Sequence, residues 1–423
     1  MPNRTRSPAV KEISDIEIPV AENYTLDNGI PVKVINKGTQ DILKLEVVYF
    51  AGRPFEQKRL VARATCSLLK EGTKNFTSAQ IAEKVDFYGG TLSVPFGLDT
   101  SNIILYSLSH HFEKLLPLLA EVVLAPTFPE EELNTFIQNN KHSLQIDLSK
   151  TDVVAYRKVT EYIFGENHPY GYNSFPETYE ALERDGLIQH YQKNYSSENC
   201  KIFLSGKVTS TEIALLNQYL GHGMNSSEKP SPIIKTESTI PQKIKITHPE
   251  SVQSAIRVGC RLFNRNHPDY ADWFVLNTIL GGYFGSRLMA NIREDKGYTY
   301  NIFSSLDTMH YDGCFYIGTE VGNELVDVTL KEIYREMKLL QEEPIKEVEL
   351  SMVKNYLLGN MLTMLDGPFN LIDIIKTKSL EQLPDDSFSK LIESIKNINA
   401  EKIQSLAKKY LDSEKMWEVV VGA

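Results

Sequence analysis

The chain has 423 residues, 42% hydrophobic and 24% charged, with a formal net charge of −10, a length that suggests two domains or more and a composition ordinary for a soluble globular protein. The acidic balance argues against nucleic-acid binding, which needs a basic face, and no run approaches the roughly 20 apolar residues of a membrane-spanning helix. The N-terminus leads into no apolar segment of the kind that directs secretion, so the chain reads as cytoplasmic, and the scattered Cys66, Cys200, Cys260 and Cys314 read as reduced thiols in small apolar slots.

In chain order, strand patterns occupy residues 32–35 and 43–50, and a helical pattern over 58–69 carries apolar positions at Val61, Thr65 and Leu68. A short helix is expected over 78–88, followed by Gly89-Gly90 and an extended run from Leu92 to Leu108. The amphipathic pattern over 111–124 stops before a proline-bounded segment, Ala-Pro-Thr-Phe-Pro, at 125–129. A further helix over 130–148 leads to mixed segments that finish in a strand at 200–206. The stretch 223–243 is rich in Ser, Pro, Lys and Glu with little periodicity, and reads as a linker between domains 1–222 and 244–423. Beyond it the same order recurs: a strand at 255–262, a helix at 270–280, a glycine-containing turn, strands at 300–305 and 313–321, and a helix at 324–340. That last helix is striped by Val326, Leu330, Ile333, Met337 and Leu340. A helix opening at Glu349-Leu350 then matches the one that begins near Glu132-Leu133. The expected fold is α+β, two homologous domains, each a mainly antiparallel sheet packed on helices.

Residues 62–73 read Ala-Arg-Ala-Thr-Cys-Ser-Leu-Leu-Lys-Glu-Gly-Thr. This closely resembles the zinc-binding helix of the pitrilysin/insulinase metallopeptidases, in which H-x-x-E-H precedes an apolar pair and a Gly-Thr. Residues four apart share a helix face, so two imidazoles can hold Zn²⁺ while the Glu between them serves as general base. In register with Gly72-Thr73, the three positions are Arg63, Cys66 and Ser67. Arg63 is a permanent cation and Ser67 a poor zinc ligand, while the Cys66 thiol is a poor substitute for a carboxylate base. The family's third ligand, a Glu on a later helix, falls at Ser143, and its supporting acid falls at Phe136. The resemblance therefore implies a member whose zinc site is degenerate, with no metal in this chain.

The resemblance runs over nearly the whole chain, carried also by residues 116–133 and by Gly-Gly-Tyr-Phe-Gly-Ser-Arg-Leu at 281–288. The latter is no phosphate-binding loop, since no Gly-Lys-Ser/Thr follows; it reads either as a tight turn between helices or as chamber lining. Two such domains resemble the half-size members, which build a clamshell from two chains.

Residues 292–300 read Ile-Arg-Glu-Asp-Lys-Gly-Tyr-Thr-Tyr. By the resemblance, Arg293 and Tyr300 match a pair that contacts the substrate backbone near the scissile bond. A guanidinium offers a fork of donors to peptide carbonyls, and a phenol can donate to a developing oxyanion. The plainer alternative pairs Arg293 with Glu294 or Asp295 and packs Tyr300 in a sheet. On the edge strand that pairs with substrate in active members stand Ser93 and Pro95, and Pro95 lacks the N–H a ladder needs. His110, His111 and His168 have no ligand spacing and read as surface or satisfied polar residues.

Together these residues imply the non-zinc subunit of a heterodimeric metallopeptidase. Arg293 and Tyr300 would act in trans on peptide substrates, and zinc would sit in a homologous partner. A structural pseudo-peptidase subunit of a larger complex and a non-cleaving peptide-binding scaffold are the alternatives.

Overall fold

A computed structural model describes residues 16, 18–224, 226, 228–237 and 239–422. The first half forms one sheet from β1 (Glu22–Thr25), β2 (Pro31–Asn36), β3 (Ile42–Tyr49), β4 (Thr91–Ser93), β5 (Ser101–Leu108) and β6 (Cys200–Gly206), in the order β1-β2-β6-β3-β5-β4. The second half forms another from β7 (Lys243–Thr247), β8 (Gln253–Leu262), β9 (Ile302–Thr308), β10 (Gly313–Gly322) and β11 (Trp417–Gly422), in the order β7-β11-β8-β10-β9. All pairings are antiparallel except β2 with β6 and β7 with β11. The order β2-β6-β3-β5-β4 thus recurs as β7-β11-β8-β10-β9, with the parallel pair at the same end. The duplicated α+β plan is as expected.

Each sheet is covered on both faces, one by helices of its own half and the other by a helix from the opposite half. The helix Thr151–Phe164 lays Ala155, Val159 and Ile163 against Ala255 of β8 and Val419 and Val421 of β11. Reciprocally, the helix Gly367–Leu380 lays Leu371, Ile372 and Ile375 against Ile35, Val48 and Phe203. This exchange explains a local conflict in β3. Its two-residue period sends Leu43, Leu45, Val47 and Tyr49 into the main core and leaves Lys44 and Glu46 on the opposite face. That face is not solvated, and Lys44 and Glu46 are 4% and 1% exposed. They are matched by charges of the exchanged helix: Lys44 Nζ lies 2.7 Å from Asp373, and Lys376 Nζ lies 2.8 Å from Glu46. Buried charges are tolerated where they are paired in this way.

Several boundaries differ from the sequence reading. The first helix spans only Val61–Leu68, because Leu60 is left-handed, with φ of 70°. The extended run 92–108 is broken after Ser93: Pro95 offers no N–H, and Gly97 and Thr100 close a turn through a 2.8 Å backbone bond. The helices expected from 111 and 324 start at Phe112 and Val326, each behind a single 3₁₀ turn. The strand expected from 300 starts at Ile302, which leaves Tyr300 outside the sheet.

Candidate functional site

The helix Val61–Leu68 carries Arg63, Cys66 and Ser67, and the helix Glu130–Leu148 carries Ser143, the four residues expected at degenerate zinc positions. The first helix is fixed from its N-terminus. Glu56 Oε2 accepts the Ala62 N–H at 3.0 Å, its other oxygen accepts the Tyr172 hydroxyl, and the left-handed Leu60 sets the entry angle. Burial pushes the Glu56 carboxyl up to about 7, the two hydrogen bonds only partly offsetting the lost hydration.

One turn along, half-buried Arg63 donates from Nη2 to Asn140 Oδ1 at 3.0 Å, and the Asn140 amide donates to the Phe136 carbonyl at 2.8 Å. Phe136, Asn140 and Ser143 share one face of their helix, so the guanidinium points at the stripe from which the family's carboxylates would come. Cys66 is fully buried, its Sγ lies 3.4 Å from the Val94 carbonyl, and burial pushes the thiol up to about 11. Ser67 is half-buried and Ser143 exposed. A guanidinium, a thiol that resists ionisation and two hydroxyls do not form a zinc-binding donor set. Among the described residues, no group of three or more His, Cys, Asp or Glu side chains could hold a metal ion.

The second constellation is built differently. The chain leaves the helix Tyr270–Gly281, turns through Tyr283 and Phe284, and enters a π-helical segment, Met289–Asp295. Such wide turns are rare and recur at functional sites. The segment is anchored by Asn291, whose amide donates to Glu332 at 3.1 Å and Glu336 at 2.7 Å, while Lys296 donates to the Asn291 oxygen at 2.6 Å. Gly297 then takes φ of 65°, and its surroundings are open, so the left-handed backbone rather than space calls for glycine. Arg293 lies over two rings, 4.6 Å from the Phe284 centroid and 5.3 Å from that of Tyr300. Such stacking holds a guanidinium by its faces and leaves its edge N–H groups available. Among the described residues the guanidinium makes no ion pair, with Glu294 and Asp295 or with any other carboxylate. Tyr300 is 87% exposed, and its position is set by Thr299, whose hydroxyl donates to the Glu320 carbonyl at 2.7 Å.

Ser93 lies on β4, the edge of the first sheet, and Pro95 beyond it accepts the Asn102 N–H at 3.3 Å. His168 is fully buried and stacked on Phe164; its Nδ1 accepts the Tyr170 N–H at 3.1 Å. The rings of His110 and His111 lie against each other at 4.0 Å. All four cysteines are free and buried. Sequence reasoning missed Glu56, Asn140 and Phe284. Of these only Phe284 had a visible signal, an aromatic residue between two glycines of a turn.

Residues 181–357 match the family described as "Peptidase M16 inactive domain". The chain is 22% identical over 396 residues to "Uncharacterized zinc protease YmxG" of Bacillus subtilis, covering 92% of this chain and 95% of that one. It is 23% identical over 353 residues to "Probable mitochondrial-processing peptidase subunit beta" of Schizosaccharomyces pombe, covering 76% and 75%. Its fold is similar to that of the peptidase M16 inactive domain from Pseudomonas fluorescens, with a TM-score of 0.88, 23% identity, and 95% and 98% of the two chains covered. No helix among the described residues is long and apolar enough to cross a membrane.

Proposed function

This chain belongs to the peptidase M16 (pitrilysin) family as a member without its zinc motif, and we propose that it is the non-zinc subunit of a heterodimeric peptidase. In this reading a homologous partner holds zinc and the general base, and this chain contributes Arg293 and Tyr300 across the interface. The observation that carries it is the Arg293 guanidinium, which has no carboxylate partner among the described residues and stands beside a highly exposed phenol. Arg293 binds and orients the substrate backbone by donating to peptide carbonyls, which fixes the scissile bond in register. Tyr300 donates its hydroxyl proton in a hydrogen bond to the oxygen on which negative charge develops, a contact stronger in the transition state than in the ground state. The relationship to a protein named as a processing-peptidase subunit supports a two-chain arrangement.

The test is reconstitution with a homologue that carries H-x-x-E-H. Elemental analysis should find no stoichiometric zinc in this chain alone, and size-exclusion chromatography should give a 1:1 complex at micromolar concentration that cleaves peptides neither chain cleaves by itself. Tightly held zinc in the isolated chain, lost on Cys66→Ala, or a zinc-bearing partner equally active without this chain, would overturn the assignment.

A further inference from the structure

The helix Glu347–Met364 turns one face into the core through Leu350, Val353, Leu357 and Met361. A surface helix of this kind should be polar on its other side, yet Val348, Met352 and Tyr356 are 77%, 54% and 39% exposed. They stand four residues apart and so form one stripe. The stripe is continuous with the ground around Arg293: the Tyr356 ring lies 4.8 Å from that of Tyr283, and the Tyr283 hydroxyl reaches Met352 Sδ at 3.9 Å. Next to Tyr283 is Phe284, which carries the Arg293 guanidinium on its face. Arg287 and Glu349 clamp the turn to the helix through bonds of 2.7 and 3.0 Å, so the surface is preformed.

We propose that this stripe is a selectivity surface for an extended peptide with large apolar side chains at every second position and a neutral or acidic residue beside Arg293. The proposal rests on the reading of Arg293 as a substrate contact and names the class of substrate. Two physical matches carry it. Four residues of helix rise about 6 Å, and two residues of extended chain advance about 6.6 Å. A strand lying along the helix therefore brings alternate side chains onto Val348, Met352 and Tyr356 in turn, with little drift over three contacts. The second match is charge: the Arg293 guanidinium, without a carboxylate partner among the described residues, attracts a carbonyl or carboxylate oxygen and repels a lysine or arginine at the adjoining position.

The test is fluorescence anisotropy with the full chain alone and three labelled decapeptides. One alternates Leu and Phe with Ser and carries one Asp; a second has the same composition with its apolar residues consecutive; a third replaces Asp with Lys. The alternating peptide should bind about tenfold more tightly than the permuted one, and Val348→Glu or Met352→Glu should each remove about that factor. The Lys peptide should bind more weakly to the wild type, and the difference should vanish in Arg293→Ala. Circular dichroism checks that the exposed-site variants remain folded. Equal binding of the alternating and permuted peptides, or variants that bind like the wild type, would overturn the proposal. So would sedimentation showing a dimer that Met352→Glu dissolves while peptide binding persists, since the face would then belong to a second copy. Because the measurement needs no partner, its failure is distinguishable from failure of the two-chain assignment, which reconstitution alone decides.

Discussion

In the proposed function, the helix Val61–Leu68 and the segment 289–300 are the two places where this chain would meet the family's chemistry, and their side chains are held in opposite ways. On the first, two of the side chains are engaged within the fold: Arg63 is tied to Asn140, and Cys66 is fully buried against the Val94 carbonyl. On the second, the donors are left unspent. Arg293 is held against the faces of Phe284 and Tyr300, and Tyr300 contributes almost nothing to the core. Side chains that stabilise a fold are engaged within it, whereas side chains kept for a partner or substrate are held in place with their polar edges outward. Under the proposed function, that criterion makes the first half scaffold and the second a working surface.

The largest test of this contrast is kinetic. In the reconstituted complex, Tyr300→Phe should lower kcat by about 10²–10³, or about 3–4 kcal/mol of barrier, the usual loss for one preorganised oxyanion donor. Arg293→Ala should lower kcat/KM by a comparable factor and also raise KM, because donors to substrate carbonyls act in the ground state as well. Neither change should move the melting midpoint appreciably, since both side chains lie outside the core. Steady-state rates with thermal melts check this. Wild-type rates in both variants would erase the distinction between the two regions.

A second test concerns what holds the scaffold half in place. Glu56 titrates near 7 in the folded chain against an ordinary value of 4.5. Between those values the folded state keeps a proton the unfolded state has lost, so stability is fully present below about pH 4.5 and falls as pH rises through about 7. The loss amounts to about 3 kcal/mol, at 1.36 kcal/mol per pH unit. Glu56→Gln keeps an acceptor for the Ala62 N–H and removes the ionisation, so its urea-unfolding free energy should lack this fall between pH 5 and 8. A wild-type curve that rises over the same range would mean that another group governs the helix.

Much of this was legible in the sequence, for identifiable reasons. The duplicated plan showed because strand and helix periods recur in the same order on both sides of residues 223–243, and the resemblance of the first helix to the motif showed because Gly72-Thr73 sets a register for it. Interactions between distant segments were not legible. Nothing local in Lys44 and Glu46 reveals that a helix more than three hundred residues away will cover and neutralise them. The Arg63–Asn140 contact is likewise set by how two helices cross. The apolar stripe at Val348, Met352 and Tyr356 was hidden differently, because the same helix is apolar on its core side and periodicity cannot say which side faces water.

The smallest effect bears on whether the stripped half retains any chemistry at all. Arg63→Met keeps a long apolar stem against its neighbours while deleting one charge-assisted hydrogen bond to a neutral amide. Hydrogen bonds to charged groups can be worth more than 1.5 kcal/mol when fully buried. Here the guanidinium is half-buried, and water can replace it on Asn140, so the expected loss is about 1 kcal/mol or less. Urea unfolding of the isolated chain measures this, and turnover by the complex should be unchanged. A loss of turnover with stability intact would mean that Arg63 reaches substrate, which would give the first helix a function of its own.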